Sequence, residues 1–137
     1  MKTIFTLIIS AILMMSATLV NFGDPKEDKL IGVWKWSKVI NKTTGEESGI
    51  DAILMGMASE VKMEFKADHT YIESKLRKGS TIYSNYQGQW KFENDETLST
   101  YQKEKWTSNK IEKFTADSLL MQMNPQMSIL MIKEKIN

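Results

Sequence analysis

Large apolar side chains stand at alternate positions in three stretches of this chain. Side chains of this kind can bind an apolar molecule. Alternation of this kind puts them on one face of a β-strand. If that face points inward, they either line a pocket for a small molecule or fill the interior themselves, and the sequence leaves both open. Five such residues and one methionine of a predicted helix are the candidate ligand contacts: Trp36, Met57, Met63, Phe65, Tyr86 and Trp90.

Residue types that carry out catalysis lack the partners they would need. His69 is the sole histidine, and it lies in a predicted turn with no nucleophile beside it. The carboxylates are scattered over positions that alternation predicts to face outward, namely Glu64, Glu73, Glu93 and Glu112. No phosphate-binding glycine loop or nucleophile elbow occurs. The sequence therefore predicts no catalytic residues, no enzyme and no cofactor.

Methionine is abundant, with 10 in the chain. Thioethers bind soft metal ions, but a chain with no cysteine and one histidine lacks the other ligands that such an ion needs. Flexible thioethers suit an apolar core and an adaptable pocket equally well. We therefore expect no metal site.

Residues 1–23 have the pattern of a secretory signal peptide. Lys2 supplies the positive charge, the stretch 4–20 is apolar apart from hydroxyl residues, and the chain turns polar at Asp24. The cleavage site is undefined, and an uncleaved N-terminal anchor is the alternative. We expect export, to the periplasm or the exterior. Because cysteine is absent, we expect neither disulfides nor a lipoprotein anchor.

Residues 24–137 are predicted to form one domain. The chain has 18 basic and 17 acidic residues, and Lys2 accounts for the difference, so the domain is neutral. A neutral surface does not steer a protein toward nucleic acid or anionic lipid. We expect no nucleic-acid partner and no integral membrane span once the signal is removed.

About eight short strands are predicted, divided by turn residues. Alternation is clearest at 61–66 and 86–92, while 24–28 is read as a mobile lead-in. One short helix is predicted after the first strand, from about Ile50 to Ser59, where apolar residues recur at helical spacing behind a capping box at Ser48. The predicted fold class is an all-β antiparallel up-and-down barrel, which has no free sheet edge.

Four motifs resemble those of bacterial lipocalin-like domains, relatives of the lipocalin and fatty-acid-binding proteins in the calycin-like superfamily. The motifs are Gly-x-Trp at 32–34, Phe-x-x-Asp-x-Thr-Tyr at 65–71, Tyr-x-Gly-x-Trp at 86–90 and a late hairpin at 114–119. The resemblance covers about residues 30–132. It implies that Trp34 plugs the closed end of the barrel.

The sequence departs from the pattern of these domains at two positions. His69 stands where a turn glycine is usual, and a histidine takes the left-handed conformation only at some cost. An arginine usually packs over the first tryptophan from the last strand, and here only Lys133 or Lys135 can take its place. A lysine does not stack as a planar guanidinium does.

Two functions are open from the sequence. The first is non-enzymatic binding of a small apolar or amphipathic ligand at the open end, where the helix that carries Ile53, Leu54 and Met57 would serve as a lid or a plug. The second is a protein- or glycan-interaction module of the cell envelope, with a solid interior and with Trp106 as its anchor. The sequence identifies neither the ligand nor a protein partner.

Overall fold

The computed structural model describes residues 23–50, 54–55 and 57–137. The predicted leader, apart from Gly23, lies outside them. The described elements follow one another as α1 (Pro25–Leu30), β1 (Gly32–Asn41), β2 (Glu47–Gly49), β3 (Glu60–Phe65), β4 (Thr70–Leu76), β5 (Tyr83–Asn94), β6 (Thr97–Gln102), β7 (Lys105–Phe114), β8 (Ser118–Asn124) and β9 (Met127–Lys133).

The strands form a closed antiparallel barrel. From β3 onward each strand pairs with the next, β1 pairs with β3, and β9 returns to pair with β1. Strands β2 and β3 pair with the same edge of β1. The short β2 pairs with its C-terminal half and β3 with its N-terminal half. The nine strands therefore occupy eight positions around the barrel, because β2 and β3 share one position. The predicted all-β up-and-down barrel is confirmed.

Helix α1 precedes the barrel. The prediction that residues 24–28 form a mobile lead-in was wrong. The Asp24 side chain caps the helix by accepting a hydrogen bond from the Lys26 amide at 3.0 Å. Pro25 stands at the first helical position, where its fixed φ suits the helix and its missing N–H has no cost. These local signals fold a helix too short to show an apolar period.

The helix predicted at about Ile50 to Ser59 can be followed at only a few residues, since 51–53 and 56 are outside the described part. The Leu54 amide donates to the Ile50 carbonyl at 3.0 Å, which is the spacing of one helical turn. Ile50 is buried in the core and Leu54 packs against it. The connection between β2 and β3 is therefore attached to the barrel through these two side chains.

Trp34 is the buried plug of one barrel end. It is fully buried, and its indole N–H donates to the Leu30 carbonyl at 2.7 Å, which joins the end of α1 to β1. The Lys133 ammonium lies 5.4 Å from the centre of the indole ring and donates to the Lys29 carbonyl at 2.9 Å. A cation over the ring face and a satisfied helix carbonyl both stabilise this closure.

Gly32 makes room for this arrangement. Its φ is +134°, and a Cβ placed there would lie 2.6 Å from Cε of Lys133. Of the two lysines that could replace the usual arginine, Lys133 is therefore the one that covers the tryptophan. Burial lowers the pKa of Lys133 from its ordinary value.

His69 adds a second contact between α1 and the same end of the barrel. Its φ of +65° is the left-handed conformation of the turn glycine that it replaces. The imidazole stacks on Trp90, with ring centres 4.4 Å apart and planes 11° apart, and its Nε2 lies 3.1 Å from a carboxylate oxygen of Glu27. The Trp90 indole N–H donates to the Lys66 carbonyl at 3.0 Å. The histidine thus contributes ring packing and a polar contact that glycine would lack.

A charged network crosses the outer face of the barrel near its other end. The Glu60 carboxylate lies 2.5 Å from the Lys35 ammonium and also accepts a hydrogen bond from the Tyr83 hydroxyl. The hydrogen bond from Lys35, followed by that from Tyr83, lowers the pKa of Glu60 from 4.5 to about 2. The network connects β1, β3 and β5.

Replacing Lys133 by alanine should destabilise the protein by about 1–2 kcal/mol, because it removes a ring contact and a helix-capping hydrogen bond together. Lys135→Ala, two residues further on at an exposed position, is the matched control and should change little. Urea denaturation of both variants measures the difference. Equal effects of the two substitutions would contradict the assignment of Lys133 to the closure.

Glu60→Gln should reduce the acid sensitivity of folding. A carboxyl group with a lowered folded-state pKa stabilises the protein above its ordinary pKa of 4.5, and this contribution is lost as the pH falls toward 2. The variant should therefore be about 1 kcal/mol less stable than wild type near pH 7 and equally stable at low pH. Urea midpoints between about pH 7 and pH 2.5 test this, with Glu46→Gln in an exposed turn as control. A constant difference at every pH would show that ionisation of Glu60 is not the cause.

Candidate functional site

A cavity of about 450 Å³ lies inside the barrel, toward the end opposite α1. Its lining includes Gln102 and Lys105, which flank the turn between β6 and β7. Helix α1 lies at the turn between β5 and β6, where the Lys26 ammonium donates to the Asn94 carbonyl. Successive turns of an up-and-down barrel fall at opposite ends, so the cavity belongs to the open end. Volumes of about 300–1,000 Å³ are typical of small-molecule sites.

One wall of the cavity is apolar. Single residues of β1, β3 and β9 and two of β8 supply it: Trp36, Met63, Ile129, Met121 and Met123. These side chains point inward because they share the strand face of the buried core, and a bulge after Trp36 brings Val39 to that face as well. Three methionines on this wall give it side chains that adapt readily to the shape of a bound molecule.

The opposite wall comes mainly from the β6–β7 hairpin and is polar apart from Leu98. Thr100 pairs with Thr107, and Gln102 pairs with Lys105, across the two strands. Directly opposed residues share a face, so all four side chains line the cavity. Lys103, in the turn of this hairpin, completes the wall at the mouth.

Two buried N–H donors in residues of this lining have no hydrogen-bond partner among the described residues. They are the indole Nε1 of Trp36 and the side-chain Nε2 of Gln102. A buried donor left unpaired costs about 1–3 kcal/mol. The amide of Asn109, by contrast, donates to the Gln122 carbonyl at 3.0 Å. Two residues of the cavity lining therefore each carry a buried donor that no described residue satisfies.

Glu73 lies in the cavity wall, contrary to the sequence-based expectation that it faces outward. It follows the buried Tyr71 at a spacing of two, so the two side chains share the inner face. Its carboxylate is 2.7 Å from the Lys75 ammonium. Burial, and then the negative charge of Glu73, raise the pKa of Tyr71.

The structure separates the six residues that the sequence proposed as ligand contacts. Trp36 and Met63 line the cavity. Phe65 and Trp90 are buried in the core, in edge-to-face contact 6.0 Å apart, and do not line it.

The other two candidates are exposed. Tyr86 is 38% exposed, and the Lys75 and Lys103 ammonium groups lie 5.6 and 5.4 Å from its ring centre. Met57 is 69% exposed and is not part of the cavity lining. Contact with a ligand stays a prediction for all six residues.

The polar wall was missed from the sequence for a physical reason. Strands β6 and β7 carry hydroxyl and amide side chains on both faces, so hydrophobic alternation does not mark the inner one. The strand predicted near Ser108 to Phe114 begins three residues earlier, at Lys105. The signal that could have found the wall was the pairing of the two strands across a two-residue turn.

Trp106 lies on the outer face of β7. It is 40% exposed, its ring centre is 5.2 Å from that of Tyr101, and the Lys91 ammonium lies 4.3 Å from it. Its neighbours in β7, Lys105 and Thr107, point to the cavity instead. The indole is therefore a surface feature separate from the cavity.

Over the described residues, no group of three histidine, aspartate or glutamate side chains is placed to hold a metal ion. No helix within that part of the chain has the length and apolar character to cross a membrane.

Comparison with known proteins identifies the fold. No family model matches the chain, and no curated protein matches it. A lipocalin-like protein from Bacteroides uniformis ATCC 8492 has a similar structure, with a TM-score of 0.61 and 14% identity over 77% of this chain and 99% of that chain. An uncharacterised protein from Bacteroides eggerthii DSM 20697 gives a TM-score of 0.58 and 11% identity over the same shares. The chain therefore has a lipocalin-like fold, as its motifs predicted.

Gln102→Leu should stabilise the protein by about 1 kcal/mol, because it removes a buried amide donor that lacks a partner. Gln87→Leu, at an exposed position of β5, is the matched control and should give no such gain. Thermal and urea denaturation in the absence of any ligand measure both. A loss of stability in Gln102→Leu alone would mean that the amide is already satisfied.

Proposed function

We propose that this chain is a non-enzymatic binding domain that holds a small amphipathic molecule in the open end of its barrel. The observation that carries the proposal is the cavity of about 450 Å³ with one apolar and one polar wall. A molecule that has both kinds of surface matches both walls, whereas a purely apolar molecule would leave the donors of the hairpin unpaired.

The depth of the site supports this function. Met121 and Ile129 are almost fully buried at the base of the cavity, and Met123 is 39% exposed at the mouth. A bound molecule can therefore bury its apolar part while its polar end stays near solvent. Burial of apolar surface contributes about 25 cal/mol per Å², which is the main source of affinity for such a ligand.

Export of the domain is part of the proposal and rests on the sequence of residues 1–23, with a positive charge at Lys2 and an apolar stretch behind it. In the periplasm or outside the cell, the domain would bind molecules that arrive from the medium or the envelope.

A second candidate function has one supporting observation. The exposed indole of Trp106, flanked by Tyr101 and Lys91, offers an aromatic surface to a protein or a glycan. Aromatic side chains are enriched at the centres of interfaces. The interior cavity has no part in this function, so the two candidates make different predictions for substitutions inside and outside the barrel.

Thr107→Trp should abolish binding of the neutral apolar probe N-phenyl-1-naphthylamine. Thr107 is exposed to the cavity, so an indole placed there occupies the space without displacing buried atoms. Lys110→Trp adds the same side chain to the outer face of β7 and is the matched control. Probe fluorescence gives the affinity and thermal denaturation verifies folding.

The expected result is binding by wild type and Lys110→Trp, and a loss of at least about tenfold in Thr107→Trp. If the wild-type protein does not bind the probe, or if both variants bind it as wild type does, the interior is not the binding site. Loss in Lys110→Trp alone would favour the outer surface.

A further inference from the structure

We infer that the ligand carries an anionic head group, a carboxylate or a phosphate, which the β6–β7 hairpin holds at the mouth of the cavity. This inference rests on the proposed function and adds the chemical class of the ligand. It follows from the charges, the donors and the backbone of the hairpin.

The charges of the lining are unequal. Glu73 is its one acidic residue, and its carboxylate already has the Lys75 ammonium at 2.7 Å. Lys103 and Lys105 are its basic residues, and neither makes an ion pair within the described part of the chain. The hairpin side of the mouth is therefore positive, and a negatively charged group placed there gains favourable interactions.

The hydrogen-bonding groups favour an acceptor. Gln102 is paired in register with Lys105, and its buried Nε2 has no partner among the described residues. An ammonium group can only donate hydrogen bonds, so the unsatisfied groups here are donors. An anionic oxygen accepts from an amide and an ammonium at once, and charge-assisted bonds are about twice as strong as neutral ones. A cationic head placed beside Lys103 and Lys105 would meet like charge.

The hairpin holds its lysines in a constrained turn. Lys103 and Glu104 have φ of +52° and +62°, so two residues with side chains occupy positions that favour glycine and asparagine. The Lys103 ammonium rests 5.4 Å from the ring centre of Tyr86. Both observations place the amine at the mouth before a ligand arrives, which reduces the entropy lost on binding.

Across the barrel, the apolar wall fixes the orientation of the ligand. Strands β1 and β6 stand on opposite sides of the eight-position barrel, so Trp36 faces the hairpin from the far wall. An apolar chain can extend between Met63 and Met121 while the head remains beside Lys103 and Lys105. A single amphipathic anion therefore satisfies both walls.

Four amphiphiles with the same ten-carbon chain test the inference: decanoate, decyl phosphate, decan-1-ol and decyltrimethylammonium. Isothermal titration calorimetry is carried out on the purified protein at low ionic strength and below micelle formation. We expect each anion to bind at least about tenfold more tightly than decan-1-ol, and the cation to bind most weakly. Added salt should weaken the anions and leave decan-1-ol unchanged. The ratio between the two anions identifies the preferred head.

The double variant Lys103→Gln/Lys105→Gln should bind decanoate and decan-1-ol equally, with its affinity for decan-1-ol kept. Lys110→Gln/Lys113→Gln, which removes two exposed charges from the same strand outside the lining, is the matched control and should keep the preference for anions. Thermal denaturation verifies that both variants fold.

The two proposals fail in different ways. If decan-1-ol binds as tightly as the anions, or if the Lys103→Gln/Lys105→Gln variant keeps the full preference, the anionic head is contradicted while interior binding stands. If none of the four amphiphiles binds, the proposed function itself is overturned.

Discussion

The pairing of β1 with β9 is the interaction on which the cavity depends. It runs from Trp34 opposite Lys133 to Asn41 opposite Met127, with one bulge after Trp36. Without it, the strands would form an open sheet with two unpaired edges and no interior. Closure brings the inner faces of all the strands together, so that side chains far apart in the sequence face one another. The chain achieves this without a disulfide, since it contains no cysteine.

The same pairing sets the contrast between the two barrel ends. At the α1 end, Trp34, Phe65 and Trp90 fill the interior, and the indole N–H groups of the two tryptophans donate to backbone carbonyls. Toward the other end, the indole N–H of Trp36 has no partner among the described residues. One end is thus packed, and the other combines empty volume with donors that no described residue satisfies. Such unsatisfied groups lower the stability of the folded protein.

Sequence reasoning succeeded where one strand face is strongly apolar. The alternation of Val61, Met63 and Phe65 predicted β3, and the succession of about eight hairpin-connected strands predicted the barrel. The resemblance to lipocalin-like domains predicted the burial of Trp34. It failed where local effects override the pattern. Helix α1 depends on a cap and a proline rather than on periodicity. The inward position of Glu73 follows the alternation of β4, two residues after the buried Tyr71, and the prediction that it faces outward was wrong. Of the candidate contacts, Trp36 and Met63 line the cavity, whereas the depth of each residue along the barrel is a property of the closed structure.

The four tryptophans occupy three different environments, and this allows a direct test of interior binding. Trp34 and Trp90 are buried at the packed end, Trp36 lines the cavity, and Trp106 is exposed on the outer face. Fluorine NMR of the protein labelled with 5-fluorotryptophan, titrated with decanoate, reports on each of them separately once the signals are assigned by substitution. Binding in the cavity predicts that the Trp36 resonance shifts with saturation while the Trp106 resonance stays in place. A shift of Trp106 with Trp36 unchanged would contradict it.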